Sequence, residues 1–191
     1  MSFFYLTTYK NTRGLLAAFV LAAVAIMSSS ASAMASTKNS SDNTDTIPKN
    51  TVIDKVFVDK SARVLQLLSD NKVIKTYHVA LGGNPIGHKQ KQGDQRTPSG
   101  SYTLDYKNER SKYYRSIHVS YPNAADKARA KKLGVNPGGD IMIHGQKNGF
   151  GQLAGITQRL DWTEGCIAVT NDEMDEIMAA VKVGTTIEIV E

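Results

Sequence analysis

Two residues in this sequence could form a nucleophile and its base. Cys166 sits in Asp161-Trp162-Thr163-Glu164-Gly165-Cys166-Ile167-Ala168, and His144 ends Asp140-Ile141-Met142-Ile143-His144, with Gly145 next and the cysteine 22 residues further on. A thiol of ordinary pKa, about 8.5, is only a small fraction thiolate at neutral pH, and a nearby imidazole is the usual remedy. The apolar run before His144 reads as a strand that delivers the ring at its end, and Gly145 lets the backbone turn sharply there. Gly165 permits a bend or a close backbone approach that leaves the sulfur exposed. Taken singly, each residue has a plain structural explanation. Cys166 would serve as a small buried hydrophobe or an intermolecular disulfide partner, and His144 as a hydrogen-bonded strand end. Two classes therefore stand side by side: a thiol enzyme, and a binding or structural module whose cysteine is incidental.

Chain order narrows the enzyme class. Papain-like enzymes place cysteine before histidine, and no histidine follows Cys166. Sortases have histidine first but use an arginine downstream of the cysteine, and the only basic residue after Cys166 is Lys182.

The chain ends point to export. Lys10 and Arg13 precede an apolar run over residues 15–27, and Ala31-Ser32-Ala33 has the small-x-small pattern that a signal peptidase cuts. That run falls short of the roughly 20 residues of a spanning helix. We expect residues 1–33 to be a signal peptide, an uncleaved anchor being the alternative, and membrane contact only through that segment. Residues 34–50, rich in Ser, Thr, Asn and Asp, read as a flexible leader, because they hold too little apolar surface to offset ordering. Residues 51–191 have the size of one catalytic domain. An exported domain normally pairs its cysteines, so the single Cys166 is a free thiol by arithmetic.

The formal net charge is +5. Residues 86–132 hold 11 basic against 4 acidic side chains, whereas residues 133–191 hold 3 against 9. A solvated surface explains the basic half, and an anionic polymer would fit it as well. No basic motif interleaved with aromatics is present, so no nucleic-acid partner is expected.

The elements that must position the pair are mostly strands. Alternation over residues 52–58, 62–68 and 73–81 predicts three antiparallel strands, with Asp70-Asn71 as a tight turn between the last two. A polar Gly-containing loop follows to Asp94, then a turn at Thr97-Pro98-Ser99-Gly100 and a short strand over residues 101–105. Residues 123–133, ending at Gly134, read as a surface helix. Thr170-Asn171-Asp172-Glu173 forms a capping box for a second helix that presents Met174, Ile177, Met178 and Val181 on one face and closes at Gly184. Residues 185–190 are a final strand. The expected fold is mainly β with a few short helices, sandwiched or barrel-like.

Among other candidates, His118 alternates with Ile117 and Val119 and would line the same cleft as the pair. His78 falls inside a strand and His88 in the polar loop. No close pair of ligands accompanies Cys166, so neither metal nor cofactor is expected. Trp162 reads as a core anchor, and Tyr113, Tyr114 and Tyr121 are left open. Arg96 is the basic residue best placed to meet a substrate carboxylate.

His144-Gly145 followed by Thr163-Glu164-Gly165-Cys166 resembles the signature of the L,D-transpeptidase (YkuD-type) catalytic domain. Arg96-Thr97-Pro98-Ser99-Gly100-Ser101-Tyr102 resembles that family's upstream Thr-Pro-x-Gly-x-Phe/Tyr segment. The resemblance covers most of residues 51–191 and implies the family's β-rich fold. It implies that Cys166 attacks the carbonyl between the L-centre and D-Ala of a peptidoglycan stem peptide and expels D-Ala, while His144 moves the proton. Backbone N–H groups around Gly165 and Cys166 would hold the oxyanion. Thr163, Arg96 and His118 are the candidate substrate-binding side chains. This sequence departs from the commoner pattern at Ala168, where many members have Arg, and at Glu164, where many have His. Trp-Thr-x-Gly-Cys-Ile-Ala resembles a Gram-negative subgroup. The acyl-enzyme would pass to an amine, or to water in an L,D-carboxypeptidase or amidase that releases wall-attached peptide or protein.

Overall fold

The computed structural model describes residues 46–191. The expected signal peptide (residues 1–33) and most of the leader (34–45) lie outside the described residues. Of the leader's end, Ile47 packs against the core.

The N-terminal meander forms as the alternation predicts. Strands β1 (Lys55–Asp59), β2 (Val64–Ser69) and β3 (Lys72–His78) pair antiparallel. Asp70 and Asn71 make the β2–β3 turn with φ of 50° and 61°, a conformation that Asp and Asn tolerate better than most residues.

Strand β4 (Gly100–Ser111) is 12 residues long, not the short strand expected, and hairpins onto β5 (Tyr114–Val119). Its distal half, Tyr106-Lys107-Asn108-Glu109-Arg110-Ser111, is polar and reaches past the core, so no apolar alternation announced it; pairing with β5 supplies its order. Helix α1 (Ala124–Leu133) has Asn123 as N-cap, in a capping box with Asp126, and Gly134 as left-handed C-cap. Strand β6 (Met142–His144) ends on the histidine. A short 3-10 turn and helix α2 (Ala154–Thr157) then lead to β7 (Ile167–Ala168).

Helix α3 (Asn171–Ala180) starts at the Thr170 cap with its capping box to Glu173, and buries Met174, Ile177 and Met178. It ends at Val181 in extended conformation rather than at Gly184, which lies in the turn before β8 (Thr186–Val190).

The eight strands form one sheet in the order β3-β2-β1-β8-β4-β5-β6-β7. Two neighbour pairs, β1–β8 and β6–β7, are parallel. The ends of the sheet meet, because Ala80, just past β3, exchanges both backbone hydrogen bonds with Ala168 of β7 at 2.9 and 2.8 Å. This closure gives the barrel-like form. The core inside is apolar and continuous, from Val56 and Leu67 through Ile117 and Ile143 to Ile187. Among the described residues no helix is long and apolar enough to cross a membrane.

Candidate active site

The register of β6 and β7 brings the two sequence-selected residues together. Ile143 pairs with Ile167 and His144 with Ala168. Both isoleucines are fully buried in the core. By alternation, Met142, His144, Cys166 and Ala168 share the opposite face. Cys166 and His144 thus stand one two-residue step apart on adjacent chains, on the order of 8 Å between backbones.

That face is covered. Tyr113, at the tip of the β4–β5 hairpin, lies against the His144 ring with centroids 4.7 Å apart, and Trp162 meets the ring edge-on at 5.7 Å. His144 is 3% exposed as a result. Burial is the main influence on the imidazole and pulls its pKa down to about 4, with the Gly145 carbonyl acting weakly the other way. The ring is therefore neutral at pH 7. Nδ1 lies 2.6 Å from the Gly145 carbonyl, which can only accept, so Nδ1 carries the proton and Nε2 the lone pair. Trp162 lies at the site and outside the core cluster, contrary to the expectation of a core anchor.

Cys166 is a partly exposed free thiol. Its Sγ donates to the Asp140 carbonyl at 3.5 Å. Burial raises the thiol's pKa; the Met142 amide and the Lys89 charge oppose that, and Asp140 adds to it. The resting pair is a neutral thiol beside a neutral imidazole.

The turn before the thiol is built from within. Thr163 Oγ1 donates to the Cys166 carbonyl at 2.8 Å and accepts from Gly165 N–H at 3.1 Å. Thr163 is 5% exposed. Gly165 has φ of +124°, and a Cβ there would lie 2.6 Å from the Arg96 carbonyl, so both conformation and space require glycine. Gly145 answers to space alone: a Cβ would lie 2.7 Å from Asn171 Oδ1, the same atom that accepts from Gln146 N–H at 2.8 Å.

His118 lies on the same face. It pairs with Met142 on one side and Tyr106 on the other, which places it two strands from Cys166. Its Nδ1 is 2.7 Å from Asp105 Oδ1, and its ring stacks on Tyr106 at 4.6 Å. A bulge between Leu104 and Tyr106 lets both of those side chains reach it. Arg96 brings its backbone to Gly165, whereas its guanidinium turns toward Gly87. His78 bonds the Gln158 carbonyl at 3.0 Å, and His88 is tied to Asp126 and Ser99. Among the described residues no group of three His, Cys, Asp or Glu gathers as a metal site requires.

Tyr113, left open from the sequence, covers the His144 ring, whereas sequence reasoning missed Asp140, Lys89 and Gln146, the first of them in a loop with no periodicity. Lys89 looks like one more charge in a polar loop, yet it is 3% exposed and bonded to Asp94 at 2.8 Å. Gln146, 1% exposed, accepts from Thr157 Oγ1 at 2.6 Å and donates to the Val169 carbonyl at 2.7 Å, pinning α2 over β7.

Residues 53–189 match the family of L,D-transpeptidase catalytic domains, YkuD. The chain belongs to this family. It is 30% identical over 112 residues to the putative L,D-transpeptidase YafK of Escherichia coli, covering 58% of this chain and 38% of that protein, so it spans well under half of that relative's length. It is 28% identical over 133 residues to the putative L,D-transpeptidase YqjB of Bacillus subtilis, covering 69% of this chain and 68% of that protein. Among solved structures, the helical cell shape determining protein Pgp2 of Campylobacter jejuni is similar with a TM-score of 0.55 at 24% identity, covering 74% of this chain and 49% of that one. Bd1075 of Bdellovibrio bacteriovorus follows at 0.53 and 21%, covering 76% and 50%. At these identities the likeness to both structures is one of fold. This is an enzyme family that acts on peptidoglycan peptides.

Proposed function

We propose that the protein is a peptidoglycan L,D-transpeptidase in which Cys166 forms an acyl-enzyme with a stem peptide and passes the acyl group to an amine. The observation that carries this reading is the register of β6 on β7, with His144 and Cys166 on one face, the imidazole buried and the thiol partly exposed, within a domain of this family. The thiol turns from the Asp140 carbonyl to His144, whose Nε2 takes its proton as sulfur attacks the carbonyl carbon. The carbonyl electron pair moves onto oxygen and returns as the C–N bond breaks, and His144 gives the proton to the departing D-Ala amine. A neutral base suits this cycle, because it is free to accept at the first step. Gly165 N–H already serves the Thr163 hydroxyl, so Cys166 N–H is the oxyanion donor of the two considered. His118, Tyr106 and the Asp105 carboxylate form the floor along which the peptide lies. The N-terminal segment supports export, and the Trp162 to Ala168 pattern supports a Gram-negative periplasmic setting; an uncleaved segment would make the enzyme membrane-tethered.

The test is incubation of the protein with a wall digest and a D-amino acid. Exchange products carrying that amino acid bear out the transferase. Shortened or released peptides, with no exchange at any amine concentration, replace it with a hydrolase of the same family, acting on stem peptides or on a wall-attached protein.

A further inference from the structure

We propose that His118, held by Asp105, is a second base that takes a proton from an incoming primary ammonium and so readies the acyl acceptor. The proposal rests on the acyl-transfer reading above and deepens it, because it makes the acceptor a primary amine that arrives charged.

The sheet lays out one row of side chains. Tyr106 pairs with His118, and His118 with Met142. Ile143 pairs with Ile167 on parallel strands, so Met142 lies beside Cys166. Side chains in one row share a face, and Cys166 and His118 stand on either side of Met142, two strand spacings or about 9–10 Å apart. A thioester carbon on sulfur, an amine at a near-attack distance of about 3–3.5 Å and a hydrogen bond of about 2.6–3.2 Å fill a gap of that size. His144 lies two residues further along β6, so the two histidines approach the acyl carbon from different directions.

His118 is oriented as a base. Its Nδ1 lies 2.7 Å from Asp105 Oδ1. A carboxylate oxygen accepts, so Nδ1 carries the proton and Nε2 the lone pair. Nε2 has no hydrogen-bond partner among the described residues. The ring stacks on Tyr106, with centroids 4.6 Å and planes 14° apart. The β4 bulge makes both contacts possible. Leu104 pairs with Val119 and Tyr106 with His118, so Asp105 is the extra residue, and it reaches the ring that Tyr106 also covers. The His118 and Asp105 side chains are 15% and 43% exposed, so this pair is open to a solute where His144 is not.

The acceptor step calls for such a group. A primary amine near neutral pH is an ammonium, with an ordinary pKa of about 8 for an α-amine and about 10.4 for a lysine-type amine. It loses one proton before it can attack and another as the C–N bond forms. His144, drawn down to about 4 by burial, is too weak a base to take the first from an ammonium. His118 Nε2 takes it, and Asp105 stabilises the imidazolium that results. The amine lone pair then forms the C–N bond while His144 takes the second proton. The carbonyl pair moves onto oxygen and returns as the C–S bond breaks, and sulfur leaves with the proton from His144. His118 gives its proton to water.

The experiment measures how the acyl-enzyme divides between amine and water. The full chain is incubated with a wall digest and D-methionine, and exchanged and hydrolysed peptides are quantified; their ratio does not depend on how fast the acyl-enzyme forms. His118→Gln lowers the amine-to-water ratio by about tenfold or more, and Asp105→Asn lowers it several-fold. With hydroxylamine, which is largely uncharged at neutral pH and has no first proton to lose, the same substitutions lower the ratio far less. An equal loss with both nucleophiles marks a merely structural floor and overturns the proposal, as does an unchanged ratio with D-methionine. If His118→Gln does not fold, Asp105→Asn, altered at a partly exposed side chain, decides. Intact mass of the chain separates the two failures. No acyl group on Cys166, or one that only water removes in the native protein, refutes the proposed function and the acceptor step with it. Acyl-enzyme and exchange with unmoved ratios refute the role of His118 alone.

Discussion

Along β1, β2 and β8 the inward residues Val56, Val58, Leu65, Leu67, Ile187 and Ile189 are at most 1% exposed, while the residues between them reach toward solvent. Along β6 and β7 both faces are covered, and the second face holds His144 under Tyr113 and Trp162. The same burial does opposite things at the two ends. Removing an aliphatic side chain from water contributes about 1.5–3 kcal/mol to folding. Removing an imidazole from water forbids its charge, which costs stability in acid and yields a base that is always ready to accept a proton. The meander end supplies the stability that the site end spends on chemistry.

The sharpest test of that division is Cys166→Ala. Turnover of stem peptides falls by roughly 10³-fold or more, while the unfolding free energy moves by less than about 1.5 kcal/mol, since the replacement is close in size. Paired kinetic and thermal-unfolding measurements decide it, and full activity in the variant removes Cys166 from the chemistry. The mirror experiment is Ile187→Ala in β8. It destabilises the domain by about 2–5 kcal/mol and leaves the pH midpoint of Cys166 alkylation where it was. A shifted midpoint would mean that the two ends are not independent.

The third prediction concerns pH. The unfolded chain's His144 takes a proton near ~6.5, while the folded one holds out to about 4. Between those values the unfolded state binds more protons, so this group's share of stability is complete above pH 6.5 and is lost as pH falls toward 4, by roughly 3 kcal/mol at the limit. Denaturant titrations across that window measure the slope, and His144→Gln flattens it. An unchanged slope in the variant would show that the ring is not the group responsible. The smallest effect belongs to the outer face of the meander. Lys55→Ala breaks the 3.1 Å pair with Glu188, in which both side chains are about one-third or more exposed, and changes stability by about 0–1 kcal/mol, with no change in turnover.

Much of this was legible in the chain. The Thr170–Glu173 capping box, the Asp70-Asn71 turn and the three meander strands follow from local rules: a side-chain oxygen three residues from an orphan amide, a positive φ, a period of two. His144 and Cys166 stood out because the thiol is single and the histidine closes an apolar run. The distal half of β4 escaped because its residues are polar and its order comes from a partner strand.

By itself the sequence determined which residues have the chemistry: a thiol, an imidazole at a strand's end, and glycine where a turn demands it. Only the tertiary structure decided what those residues are. The parallel pairing of β6 with β7, Ile143 on Ile167 and His144 on Ala168, brings the histidine to within a two-residue step of the cysteine, and Tyr113 and Trp162 cover the imidazole. Burial under these two rings then keeps the imidazole neutral. Protonation state is a property of surroundings, set by desolvation and by charges brought from elsewhere in the chain, and no local pattern of residues encodes it.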